Sequence, residues 1–247
     1  MAPRKADGYS LSSESGDAGA GEHFGGDPLM VTTLVIGNRN YSSWSLRAWW
    51  AARRSGLSFA EVRLPLDTDE FAQKIDAYSP SGRVPVLHHQ GRVVWDTLSI
   101  CEYLAELSPE ARMWPAATAD RSRARSLCAE MHSGLAALRD QLPMNCRAKK
   151  RRVQIDDACA ADIARVKEIW ADCLGQKNAE GPWLFGHWTI TDAFFAPVAM
   201  RFRTYGVDLS GPAADWAAAV LGNPDIVDWV RLAAAETETV IADEVGQ

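Results

Sequence analysis

The stretch RVPVLHHQGRVVWDTLSICEYL (residues 83–104) determines the fold of this chain. Its first part, 83–96, predicts two strands joined by a hairpin turn at 89–91, because β-branched and apolar residues flank a short segment that contains glycine. The residues that follow, TLSICEYLAEL (97–107), have apolar side chains at helical spacing. We therefore expect an antiparallel hairpin that passes directly into a helix.

The residues before this stretch alternate between strand and helix patterns. We predict a strand at 30–37, a helix at 44–56, a second strand at 59–66 and a short helix at 69–78. The element order is then β-α-β-α-β-β-α. That order requires a parallel pair of strands with right-handed crossovers, and an antiparallel hairpin after it.

The residues after 108 predict helices alone. Periodic apolar patterns predict helices at 121–142, 156–176, 191–204, 213–220 and 224–236. The predicted fold is therefore α/β followed by all-α.

The predicted domain organisation has three parts. A disordered tail, 1–29, precedes an α/β domain, 30–108, and an all-helical domain follows at 118–247. An equally good account of the tail is a translation start placed too early, with Met30 as the real start.

Composition excludes several classes of function. The chain has 247 residues, is 47% hydrophobic and carries a net charge of -6, which argues against general binding to nucleic acid or to an anionic membrane. No apolar run approaches the ~20 residues of a membrane-spanning helix. The five cysteines form no CxxC pair and are odd in number, so we expect free thiols in the cytoplasm and no metal site.

Several motifs occur in an order that resembles the glutathione S-transferases. These are Val84-Pro85 before a strand, Asp96-Thr97 at the start of a helix and TITDAFFAPV (189–198) in the helical half. The resemblance covers about residues 30–240. It implies a thioredoxin-like N-terminal domain, glutathione as co-substrate, a small electrophile as second substrate and a homodimer.

The resemblance also implies a glutathione site, formed by Arg83, Val84, Pro85, Asp96 and Thr97. In the family the proline is cis, so that the preceding backbone can pair with the cysteinyl part of glutathione. A helix start offers free N–H groups and partial positive charge, which suit a carboxylate, while Asp96 suits an amino group. The alternative is that Asp96 or Thr97 is a plain N-cap.

The segment TITDAFFAPV resembles the family's N-cap of the helical domain. Thr189 and Asp192 have the spacing of a capping box. We assign it a structural role.

The serines of NRNYSSWSLRAWW (38–50) are candidates for activating the glutathione thiol. A hydroxyl that donates to the sulfur, helped by a helix N-terminus, lowers the thiol pKa from ~8.5. In the family this serine commonly lies four residues before an arginine, and counting back from Arg47 gives Ser43. Ser42 is the alternative, Tyr41 a secondary candidate, and plain N-caps are the structural alternative.

Candidates for the second-substrate site come mainly from the helical half. We expect Trp44 to flank the sulfur, and His132, Arg139, Asn145 or Arg147 to hold an anionic substrate. Arg201 and Arg203 lie where zeta-class members of the family hold a substrate carboxylate, and Arg203 is one position from the aligned arginine. A solvated face of a core helix is the alternative for EMHSGLAALRDQLPMNCR (130–147). The charged run RAKKRR (147–152) predicts a solvated loop.

Two other functions stay open. One is a cis–trans isomerase of the zeta class, which YSSWSLR (41–47) resembles, although that class has a cysteine beside its serines and the nearest cysteine here is Cys101. The other is a glutathione-binding protein without catalytic activity.

Overall fold

The computed structural model describes residues 32–176 and 181–246, so the predicted tail, 1–29, lies outside the described residues. The four strands are β1 (Thr33–Ile36), β2 (Ala60–Arg63), β3 (Val86–His89) and β4 (Arg92–Val94), and they form one sheet in the order β2-β1-β3-β4. β1 pairs parallel with β2 and antiparallel with β3, and β3 pairs antiparallel with β4. This confirms the predicted mixed sheet.

The hairpin turn between β3 and β4 consists of Gln90 and Gly91. Both residues have positive φ, 49° and 73°, which matches the twist that a two-residue turn must have to connect two strands. The turn therefore directs β4 back along β3 and brings the chain to the start of the next helix.

Three helices accompany the sheet: α1 (Ser43–Ser55), α2 (Asp69–Lys74) and α3 (Thr97–Leu107). Ser42 caps α1 by accepting a hydrogen bond from the backbone N–H of Ser45, and Asp96 caps α3 through the N–H of Leu98. A short 3₁₀ turn extends α2. The starts of α1 and α3 lie side by side, since the hydroxyl of Thr97 donates a hydrogen bond to the carbonyl oxygen of Trp44.

The second half of the described chain is helical, as predicted. Its helices are α4 (Thr118–Ser133), α5 (Ala136–Gln141), α6 (Asp157–Gln176), α7 (Ile190–Tyr205), α8 (Gly211–Leu221) and α9 (Pro224–Ala234).

The single helix that the sequence predicts over 121–142 is wrong, because the chain breaks between α4 and α5. Gly134 leaves the helix with an extended ψ of -162°, and Leu135 has a positive φ of 52°. A Cβ on Gly134 would lie 2.9 Å from the carbonyl oxygen of Glu130, so glycine permits this close approach. The break turns α5 toward the start of α1.

The central helix of the core is α7, which packs against α1, α4 and α8. Asp192 in its first turn is fully buried and accepts hydrogen bonds from the N–H and hydroxyl of Thr189, from Leu184 N and from the indole of Trp216. This confirms the predicted capping box and its structural role. Burial raises the pKa of Asp192.

Several tryptophans lie in the hydrophobic core. Trp49, Trp50 and Trp170 have exposed fractions of 1% or less. All five cysteines are free and buried. In the described part of the chain, no helix has the length and apolar character needed to cross a membrane.

Candidate active site

Two pockets meet at Trp44, which lines both of them. The first pocket, of about 360 Å³, lies where the hairpin reaches α3. Its lining comprises Trp44, Ser81, Arg83, Val84, Pro85, Trp95, Asp96, Thr97 and His132. All five residues that the sequence predicts for glutathione are therefore in this pocket, and the Val84–Pro85 peptide bond is cis.

The first pocket contains one carboxylate, that of Asp96, together with the guanidinium of Arg83. One oxygen of Asp96 accepts a hydrogen bond from Leu98 N at 2.9 Å, and the other lies 3.1 Å from Nε2 of His132. About half of the Asp96 side chain is exposed, so it is accessible to a ligand. Asp96 therefore caps α3 and also presents a carboxylate to the pocket.

The Thr97 hydroxyl has a different partner from the one expected. It is buried, and it donates a hydrogen bond to the carbonyl oxygen of Trp44 at 3.2 Å. A hydroxyl has a single proton, so in this arrangement the Thr97 side chain does not donate to a ligand carboxylate. Backbone N–H groups at the start of α3 are the remaining donors at this position.

The second pocket, of about 430 Å³, lies between the start of α1, α5 and α7. Its lining comprises Tyr41, Ser42, Ser43, Trp44, Leu66, Ala136, Arg139, Asp140, Pro143, Met144, Arg201 and Asp243. Both candidate serines thus border the second pocket, beside the tryptophan that separates it from the first.

The two serines differ in the partners of their hydroxyl groups. The Ser42 hydroxyl donates to Oγ of Ser45 at 2.8 Å and accepts from the N–H of the same residue. The Ser43 hydroxyl accepts a hydrogen bond from Nη2 of Arg201 at 3.3 Å. The proton of Ser42 is therefore engaged inside the helix cap, whereas that of Ser43 is available to a ligand.

Positive charge is concentrated around Trp44. The guanidinium of Arg47 lies 4.4 Å from its ring centroid and that of Arg139 lies 5.5 Å from it, while His132 packs against its edge at 5.1 Å. Arg47 is fully buried, and both of its terminal nitrogens are without a hydrogen-bond partner among the described residues. Burial, with Arg201 and Arg139 nearby, lowers the pKa of Arg47 to about 9.

Arg47, Arg139 and Arg201 make no ion pair with a carboxylate in the part of the chain that the structure describes. Asp140 and Asp243 border the same pocket, and burial raises the pKa of Asp243 to about 6. Arg139 and Arg201 are therefore available to an anionic ligand, in a pocket that they share with two carboxyl groups.

Three predicted substrate-binding residues, Asn145, Arg147 and Arg203, lie outside both pockets. Asn145 is buried, where it accepts from the side chain of Asn40 and donates to Glu244. Arg203 donates to the carbonyl oxygen of Cys146 at 3.0 Å. The arginine of α7 that reaches the second pocket is Arg201, two positions before Arg203 and on the other side of the helix.

The charged run at 147–152 is a loop between α5 and α6, as predicted, with Lys149, Lys150 and Arg152 exposed, but two of its arginines contact other segments. Arg147 donates to the carbonyl oxygens of Glu236 and Glu238 and to the hydroxyl of Tyr41. Arg151 pairs with Glu244. The run thus holds the C-terminal segment, 236–246, against the loop that leads to the serines, and no sequence periodicity indicated this contact.

The Tyr41 hydroxyl is also engaged. It donates to Glu244 at 2.7 Å, and burial raises the pKa of Tyr41.

The described residues contain no candidate metal site. Within 32–176 and 181–246, no group of three or more His, Cys, Asp or Glu side chains could hold a metal ion.

Comparisons with known proteins show which families this chain is similar to. Residues 41–107 match the model of the glutathione S-transferase N-terminal domain. The chain is 27% identical over 176 residues to a probable maleylacetoacetate isomerase of Caenorhabditis elegans, which covers 70% of this chain and 79% of that protein.

Two solved structures share the fold. A glutathione transferase homologue from Burkholderia with bound glutathione matches with a TM-score of 0.63 and 22% identity, over 83% of this chain and 99% of that one. A bacterial maleylpyruvate isomerase of the zeta class matches with a TM-score of 0.61 and 23% identity, over 84% of this chain and all of that one (100%). Residues 41–107 thus match the glutathione S-transferase N-terminal domain, and the chain shares the fold of the glutathione transferases.

Proposed function

We propose that this protein is an enzyme that activates the thiol of glutathione for attack on a small anionic electrophile. The observation that carries the proposal is the pair of pockets on either side of Trp44. One is lined by the residues expected to hold a tripeptide, and the other is lined by a serine hydroxyl and by two arginines that form no ion pair among the described residues.

Glutathione has one ammonium and two carboxylates, and the first pocket offers complementary groups. Asp96 presents a carboxylate for the ammonium, and the start of α3 offers N–H donors for the adjacent carboxylate. The backbone of Val84, before the cis proline, suits the cysteinyl amide. Arg83 is exposed at the rim, where it suits the second carboxylate.

Ser43 is the proposed donor to the sulfur. Its hydroxyl borders the second pocket with its proton available, whereas the proton of Ser42 is directed to Ser45. A fall of about two units in the thiol pKa requires about 2.7 kcal/mol. One charge-assisted hydrogen bond of ~1.5–3 kcal/mol, with ~0.5–1 from the dipole of α1, supplies that amount.

The proposed second substrate carries a negative charge, such as a carboxylate. Arg139 and Arg201 line its pocket, and neither is neutralised by an ion pair there. A substrate carboxylate could accept two parallel hydrogen bonds from the guanidinium of one of these arginines. The bound thiolate and the electrophile would then meet beside Trp44.

A cis–trans isomerase is the second candidate function. The sequence relative described above and one of the two solved structures are named isomerases of maleyl compounds. Such an enzyme uses the thiolate as a transient nucleophile and regenerates it. Turnover of an unsaturated diacid without consumption of glutathione would therefore favour the isomerase over the transferase.

The deciding experiment is the ultraviolet absorbance of the thiolate in the protein–glutathione complex, measured against pH. We expect a thiol pKa about two units below ~8.5 in the parent, a return to the ordinary value in Ser43→Ala and a retained low value in Ser42→Ala. Tight binding with an unshifted thiol pKa would overturn both enzymatic functions and leave a glutathione-binding protein.

We also propose that the protein acts in the cytoplasm as a homodimer. Free cysteines and the family relationship support this. Sedimentation equilibrium would test the dimer, and a monomer at micromolar concentration would contradict it.

A further inference from the structure

We propose that Arg201 is a positioning residue that directs the proton of Ser43 toward the glutathione sulfur. This inference rests on the proposed function and deepens it. Arg201 does not contact the sulfur itself. It acts through the hydroxyl of Ser43.

The guanidinium of Arg201 is fixed by two different elements. Its Nε donates to the carbonyl oxygen of Leu142 at 2.8 Å, just after α5, and its Nη2 donates to Oγ of Ser43 at 3.3 Å, in the first turn of α1. The residue is 4% exposed and lies on α7, the most buried helix. A planar group held at two points has little freedom to move away from the serine.

The geometry determines where the serine proton can point. A hydroxyl has one proton and two lone pairs, and an arginine can only donate. The Arg201 N–H therefore occupies a lone pair of Ser43 Oγ, and the serine proton is directed to another acceptor. Ser43 lines the second pocket beside Trp44, so a thiolate arriving there becomes that acceptor.

The positive charge makes the serine a better donor. A hydrogen bond from a cation polarises the hydroxyl and strengthens the bond that the hydroxyl itself donates. Burial lowers the pKa of Arg201 to about 10, with Arg139 acting in the same direction and Asp243 opposing, so the group is still cationic at neutral pH. The serine keeps its proton throughout, and the thiol proton leaves to solvent.

Ser42 can be compared directly with Ser43. It has the same side chain, one position earlier, and also borders the second pocket. Its hydroxyl is 2.8 Å from Ser45 Oγ, to which it donates, and among the described residues no arginine donates a hydrogen bond to it. The arginine contact is thus the feature that distinguishes the two serines.

A double-mutant cycle on the thiol pKa of bound glutathione tests the inference. We expect Arg201→Met to raise that pKa by about one unit, Ser43→Ala to raise it by about two, and the double variant to match Ser43→Ala alone. Additive shifts would mean that Arg201 acts on the sulfur by charge alone, and would overturn the inference, as would an unchanged pKa in Arg201→Met.

Two further variants control for folding and for charge. Arg121→Met is the matched control, because Arg121 also donates to backbone carbonyls, those of Pro115 and Ala116, but lines neither pocket. Arg201→Lys keeps the charge without the two-point contact, and we expect it to raise the thiol pKa by about half a unit. A parental pKa in Arg201→Lys would overturn the inference even if Arg201→Met does not fold.

The outcomes separate this inference from the proposed function. An unshifted thiol pKa in the parent protein contradicts thiol activation itself, and the inference with it. A low parental pKa that depends on Ser43 but not on Arg201 contradicts the inference alone.

Discussion

The hydroxyl of Thr97 donates a hydrogen bond to the carbonyl oxygen of Trp44, and this contact joins the start of α3 to the start of α1. The two helix starts carry the two halves of the proposed site. Trp44 lies between the pockets, so this hydrogen bond fixes the backbone of their common wall.

Replacing Thr97 by valine should destabilise this junction. Thr97→Val keeps the shape of the side chain and removes the donor, so the Trp44 carbonyl keeps only the hydrogen bond that it accepts within α1. We expect the free energy of unfolding in urea to fall by about 0.5–1.5 kcal/mol. Thr97→Ser keeps the donor and is the matched control; a valine variant as stable as the serine variant would contradict this role.

Asp96 should determine the affinity for the ammonium of glutathione. Asp96→Asn keeps an acceptor for Leu98 N and removes the charge, so we expect KM for glutathione to rise about tenfold with little change in kcat. The matched comparison is a glutathione analogue that lacks the α-amino group. If the parent and the variant differ as much with the analogue as with glutathione, Asp96 does not bind the ammonium.

The sequence predicted the α/β half well because its signals are local. The turn at Gln90-Gly91 and the caps at Ser42 and Asp96 each depend on residues within a few positions. The lining of the first pocket could be predicted for the same reason, since most of its residues come from the continuous stretch 81–97.

The second pocket was harder to predict because distant segments form it. Arg201 and Arg203 lie two positions apart, and only the packing of α7 determines that the first reaches the pocket while the second contacts Cys146. The break at Gly134 depends on a carbonyl contact that composition does not reveal. Asp243 comes from the C-terminal segment, which has no periodic pattern.

Asp243 should make anion binding in the second pocket depend on pH. Burial raises the pKa of this carboxyl to about 6, so the group is neutral below that pH and becomes negative above it. A negative Asp243 repels an anion held by Arg201 and Arg139. We therefore expect the inhibition constant of dinitrobenzoate to rise about fivefold, meaning weaker binding, as pH increases from 5 to 7.

The Asp243→Asn variant removes this titration and should bind dinitrobenzoate equally at both pH values. The neutral methyl ester serves as the control ligand in the parent protein, because it has no charge to repel. An equal pH effect on the ester, or a pH effect that persists in Asp243→Asn, would show that another group is responsible.

Glu236 should stabilise the loop that precedes the serines. Its carboxylate accepts hydrogen bonds from the backbone N–H groups of Arg39 at 2.8 Å and Asn40 at 3.1 Å, and its side chain is 5% exposed. The guanidinium groups of Arg39 and Arg63 lie within 3.9 Å of it. Removing this carboxylate leaves the N–H groups of Arg39 and Asn40 without their acceptor, while the two guanidinium groups keep their ion pairs with Glu61 and Glu238.

We therefore expect Glu236→Ala to lower the free energy of unfolding by about 3 kcal/mol, measured in urea with an unchanged m-value. Glu238→Ala is the matched control, since Glu238 also pairs with Arg63 but is more exposed, and its loss should cost less than about 1 kcal/mol. Equal losses in the two variants would mean that the backbone contacts of Glu236 contribute nothing beyond a surface ion pair. A larger loss in Glu236→Ala would show that the C-terminal segment holds the serine loop in place, since Arg39 and Asn40 lead directly into Ser42 and Ser43.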